Sequence, residues 1–115
     1  MAEIQVDRNV LSALQEVMEE AYPELLDTFM ADSETRLREL QKTADAEVLS
    51  HVAHSFKGSS SNMGATRLAE LCHELELHAR DKSPSEIIKL VADIHSEFAD
   101  VRPVYEAERQ RSLTH

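Results

Sequence analysis

One cysteine, two glycines, three prolines, no tryptophan and 4% aromatic residues set the first limits on this 115-residue chain. A lone cysteine, Cys72, permits neither an internal disulfide nor a cysteine-ligated zinc site, and its place on an apolar helical stripe makes it a buried free thiol. Scarce aromatics beside plentiful Ala, Leu, Glu, Lys and Arg leave little to build a sheet from and favour helices. Lys and Arg number 12 against 22 Asp and Glu, a net charge of -10, which excludes nucleic-acid binding and reads as acidic solubility. No apolar run approaches the roughly 20 residues of a membrane span. The start, Met1-Ala2-Glu3-Ile4-Gln5, lacks the basic residues and hydrophobic centre of a signal peptide, so a cytoplasmic, reducing location is expected. At this length the chain is expected to be a single domain, residues 1–115, too small for a kinase with its own nucleotide fold.

What is present is helical periodicity. Asp7 can cap a short opening helix through Val10, Leu11, Leu14, Val17 and Met18, ending near Ala21-Tyr22. From Pro23 the set Leu25, Leu26, Phe29, Met30, Leu37, Leu40 and Ala44 predicts a long helix to about Thr43. Asp45 can cap the next, over about residues 46–63, with Gly64 at its end. A further helix from near Ala65 carries Leu68, Leu71, Cys72, Leu75 and Ala79 and stops around Arg80-Asp81. Ser83, Pro84 and Glu86 form a capping-box signature ahead of Ile87, Ile88, Val91, Ile94, Phe98 and Val101. Pro103 is expected to kink or end that helix near Arg102, with a turn or two able to follow and a frayed tail from about residue 108 to 115. Short links predict an all-α, antiparallel up-down-up-down four-helix bundle with the opening helix packed across one end.

With only two glycines in the chain, Gly58 inside a predicted helix calls for a reason, because glycine costs about 1 kcal/mol there against alanine. Close approach by another molecule is that reason. At roughly 100° per residue, Leu49, Val52, Ala53, Phe56, Ser60 and Met63 share one face, while His54, Ser61, His51 and Gly58 fall on the solvated side. Lys57, three residues after His54, can offset negative charge on anything attached to the imidazole. A neutral imidazole is a competent nucleophile toward phosphorus, so a phosphoryl group is the natural occupant.

The run Ala53-His54-Ser55-Phe56-Lys57-Gly58-Ser59-Ser60-Ser61-Asn62-Met63-Gly64-Ala65, then Leu68, Leu71-Cys72 and Leu75-Glu76, closely resembles the signature of histidine-containing phosphotransfer (HPt) domains. The resemblance extends more loosely upstream through Pro23-Glu24-Leu25-Leu26, Phe29, Arg36-Leu37 and Leu40, covering about residues 10–102. It implies a phosphorelay intermediate without autokinase activity, in which His54 takes a phosphoryl group on Nε2 from the aspartyl phosphate of one receiver domain and passes it to the aspartate of another. The resemblance further implies that Gly58 gives clearance for the receiver, that Glu76 orients His54 through Nδ1, and that Arg80 contacts the phosphoryl group. No cofactor belongs to the chain itself; Mg²⁺ is expected from the receiver. Glutamine is frequent in the family where Glu76 stands, so Glu76 is a departure in charge. A carboxylate there fixes the tautomer and favours imidazolium, so Glu76→Gln is expected to move phosphoryl uptake to lower pH. Partners are expected to be receiver domains of hybrid histidine kinases and response regulators, met by a monomer through His51, Ser61, Asn62, Leu11 and Leu14. For the two leucines core packing is an equal alternative.

Competing readings are a helical adaptor without chemistry and a metal-binding bundle. The latter would use Glu70 and His73, a Glu-x-x-His pair, but the chain holds no second such pair. His51, His78 and His95 read as helix-surface residues rather than ligands. Gly58 to Gly64 is not a phosphate loop, since no lysine followed by Ser or Thr comes after Gly64.

Overall fold

The computed structural model describes residues 5–113; Met1–Ile4, on which the expectation about a leader rests, and Thr114-His115 of the expected frayed tail lie outside the described residues. Five α-helices and one 3-10 turn account for nearly all of it: α1 Arg8–Met18, the turn Glu19–Ala21, α2 Tyr22–Lys42, α3 Ala46–Asn62, α4 Thr66–His78 and α5 Pro84–Leu113. Caps fall where the sequence puts them. Asp7 accepts from the Asn9 amide, Asp45 from those of Glu47 and Val48, and Ser83 and Glu86 exchange hydrogen bonds reciprocally.

Helices α2 to α5 form the bundle, α3 against α4 and α2 against α5, with α2–α3 and α4–α5 contacts closing the ring. Ion pairs record the antiparallel directions. Asp27 meets Arg109 and Glu34 meets Arg102 between α2 and α5, while Glu47 meets Arg80 and His54 meets Glu76 between α3 and the α4 end. Tyr22, Leu26, Phe56, Leu68, Leu75, Ile94 and Tyr105 are among the buried side chains on the bundle axis. Cys72 joins them, and burial pushes its thiol up to about 12.

The largest difference from the sequence expectation is α5. It neither ends near Arg102 nor frays from residue 108 over the described length, but carries Pro103 inside a 30-residue helix to Leu113. Proline removes one amide donor at a cost of about 3 kcal/mol in an isolated helix, and tertiary contacts beyond it offset that loss. Val104, Tyr105 and Glu108 are buried, the Tyr105 hydroxyl donates to the Met63 carbonyl at 2.7 Å, and its ring packs edge-on against Phe29. α1 ends earlier than expected, at Met18, because Glu19 takes a positive φ of 49° that no helix can continue. An extended segment before α1 lies along the α3–α4 turn: the Asp7 amide donates to Gly64 O and the Thr66 amide to Gln5 O. Gly64 is obligatory here. Its φ is +77°, and a Cβ would stand 2.9 Å from the Asp7 carbonyl oxygen.

Candidate functional site

α3 buries Leu49, Val52, Ala53, Phe56 and Ser60, so the residues between them, His54 and Gly58, are turned outward. The His54 side chain is 66% exposed. Its Nδ1 stands 2.7 Å from Oε2 of Glu76, which α4 presents from the facing helix. A carboxylate can only accept, so Nδ1 carries a proton, and in the neutral ring Nε2 keeps its lone pair. Register between the two helices is fixed beside this contact by the Ser50 hydroxyl, which donates to the Glu76 carbonyl at 3.1 Å.

Glu76 also holds the cation of the motif. Lys57 Nζ lies 2.7 Å from Oε1, so the two carboxylate oxygens divide between histidine and lysine. The Lys57 hydrogen bond first, and the His54 hydrogen bond after it, keep the Glu76 carboxyl below the ordinary glutamate range. Glu76 is therefore ionised through the neutral range. The lysine and the imidazole thus share one carboxylate.

Gly58 is exposed, and a Cβ added there would meet nothing within 4 Å. No contact among the described residues requires glycine there. His51, Ser61 and Asn62 are also exposed, His51 at a shallow groove shared with Asp32, Thr35, Arg36 and Glu39 of α2. Arg80 is not gathered into the cluster: its guanidinium pairs with Glu47, seven residues before His54 and thus about 10 Å away along α3. Of the two readings open for Leu11, docking surface or core, the core one holds, at 1% exposure, since the extended segment pins α1 down over it. Leu14 is half-buried against that core, whereas Val17, assigned by periodicity to the same stripe, is 80% exposed. Sequence reasoning also missed His73. Considered from the sequence only as a partner of Glu70, it has its Nδ1 3.4 Å from Lys57 Nζ and 3.9 Å from Glu76 Oε1. Its i, i+3 relation to Glu76 was the available signal.

No group of three or more His, Cys, Asp or Glu side chains among the described residues is arranged to hold a metal ion, and Glu70 pairs with Arg67 instead of His73. No described helix is long and apolar enough to cross a membrane.

Comparison with known proteins agrees with this geometry. A comparison with curated proteins finds no match. The solved structure of histidine-containing phosphotransfer protein B (HptB) from Pseudomonas aeruginosa PAO1 is similar at 50% identity and a TM-score of 0.88, over 96% of this chain and 98% of that one. The family model described as Hpt domain matches residues 24–102, which include the whole α3–α4 site. With most of its length inside that model, and with an outward histidine steadied from the facing helix, the chain belongs to the histidine-containing phosphotransfer family.

Proposed function

We propose that the chain is a phosphorelay intermediate in which His54 carries the phosphoryl group between receiver domains. The observation that supports it best is the Nδ1 contact with Glu76, which fixes the proton on one nitrogen and frees the other for attack. The Nε2 lone pair forms a bond to phosphorus as the bond from phosphorus to the receiver's aspartyl oxygen breaks, and the aspartate leaves as carboxylate. No proton has to move. The ring becomes an Nε2-phosphoryl imidazolium whose Nδ1–H already faces an anion, so Glu76 stabilises the positive charge as it develops. Transfer onward reverses these events on a second aspartate.

Lys57 offsets charge on the phosphoryl oxygens once it swings from Glu76, and Gly58 lets the receiver's loops approach the helix backbone. The metal and acidic pocket would come from the receiver, and Mg²⁺ there would offset the charge of the phosphoryl group in transfer. His51, Ser61 and Asn62 extend the docking surface along α3, and Val17 with part of Leu14 is the apolar surface that α1 adds. Arg80 reaches a bound phosphoryl group only by leaving Glu47. Incubation with a phosphorylated receiver and Mg²⁺ labels the wild type with acid-labile phosphate and leaves His54→Gln unlabelled. Labelling of His54→Gln, or of neither protein across several receivers, removes the reading.

A further inference from the structure

His73 lies in the cluster although the transfer chemistry assigns it no task. Lys57 Nζ, Glu76 Oε1 and His73 Nδ1 form a triangle with sides of 2.7, 3.4 and 3.9 Å. An ammonium can only donate, so in this arrangement His73 Nδ1 is the unprotonated nitrogen and accepts a second hydrogen bond from Lys57. The lysine is thereby held by two acceptors, one anionic and one neutral.

We infer that His73 is a positioning residue whose protonation state sets where the Lys57 ammonium rests, tethered beside Glu76 when the imidazole is neutral and released toward the phosphoryl position when it is charged. This rests on the phosphorelay reading of His54 and adds a regulatory element to that same site. A protonated His73 cannot accept from Lys57, repels it at short range, and turns an Nδ1–H toward Glu76 Oε1, the oxygen Lys57 occupies. One carboxylate oxygen then has two competing cations. The His73 side chain is half-exposed, so its ring is within reach of solvent.

The charged surroundings of His73 are few. α3 contributes Lys57 and, across Glu76, His54. On α4 itself Glu76 is one turn ahead and Glu70 one turn behind, the latter paired with Arg67. α5, the other helix packed on α4, brings Glu97 into electrostatic reach of Arg67 on α4 rather than of His73. Lys57 and Glu76 are the groups His73 meets directly.

The test follows the lysine itself. In the full chain with 13C-labelled lysine, the Lys57 Cε resonance is followed from about pH 5.5 to 8 beside the imidazole resonances of His73. It is expected to inflect at the His73 midpoint in the wild type and in His54→Gln, and to lose that inflection in His73→Gln, where the amide oxygen can accept but cannot titrate. An inflection that survives His73→Gln, or that disappears in His54→Gln, overturns the inference without touching the phosphorelay reading. In receiver-dependent labelling, the ratio of wild-type to His73→Gln uptake rates should rise about threefold as pH falls through the His73 midpoint. A flat ratio with both proteins still labelled on His54 overturns the inference alone, and labelling of neither overturns the reading beneath it.

Discussion

Glu76 and Glu108 are built alike and serve differently. Each carboxylate binds a ring-bearing donor from another helix and a cation: His54 and Lys57 for Glu76, Tyr22 and Arg111 for Glu108. Both are held below the ordinary glutamate range by these partners, chiefly by the cation. What differs is the burial of the donor. Tyr22 is completely buried, its hydroxyl 2.8 Å from Glu108 and its own ionisation pushed far up by burial and by that carboxylate, so the contact can only join α2 to α5. The His54 side chain is exposed, so the same type of contact leaves a ring open to an incoming partner, as the proposed transfer needs. A buried acid paired in this way is architecture; an acid paired to an exposed imidazole is a site.

Removing Glu108 should give the largest effect on stability. Glu108→Leu leaves the buried Tyr22 hydroxyl without an acceptor and is expected to cost about 2 kcal/mol in urea unfolding while leaving phosphoryl uptake unchanged. Gly58→Gln should do the reverse. With nothing within 4 Å of its Cβ it is expected to raise stability by about 0.5–1 kcal/mol and slow receiver-dependent uptake by about tenfold, or about 1.4 kcal/mol of barrier. Retained rates would remove the clearance argument.

Glu76→Gln probes the other half of the comparison more gently. An amide oxygen can still accept the Nδ1 proton but does not offset the charge of the phosphoryl imidazolium, so uptake should slow about threefold to tenfold and its pH profile move toward lower pH. The smallest effect is a titration. Because the Glu76 carboxyl is lowered in the folded chain, the stability it contributes is complete above its unfolded value and lost as pH falls through the folded one. Carboxyl 13C titration should place it under the ordinary value, and Lys57→Met should bring it back up.

Local signals made most of this fold legible. The reciprocal Ser83–Glu86 cap, the Asp7 and Asp45 caps and the face shared by Leu49, Val52, Ala53 and Phe56 are all written within a few residues of one another, and each stands as the pattern predicts. Contacts distant in sequence were not legible. Nothing near Pro103 announces that Tyr105 will reach the Met63 carbonyl and hold the helix together past the proline. Likewise, the burial of Leu11 depends on residues 5–7 pairing beside Gly64, and the attachment of Arg80 depends on Glu47 from another helix. At the site, His54, Lys57, Gly58 and Glu76 could be named from motif and periodicity, whereas His73 required knowing that α3 and α4 lean together at that height.

The Ser50 hydroxyl is bonded to the backbone of residue 76, not to its side chain. The height at which α4 offers a partner to His54 is thereby set independently of which partner is offered. Glutamate, glutamine or any side chain of similar reach can be exchanged at that position without re-registering the two helices. Such a lock separates the charge offered to the imidazole from the spacing of the two helices, so that a single codon can change the first and leave the second in place.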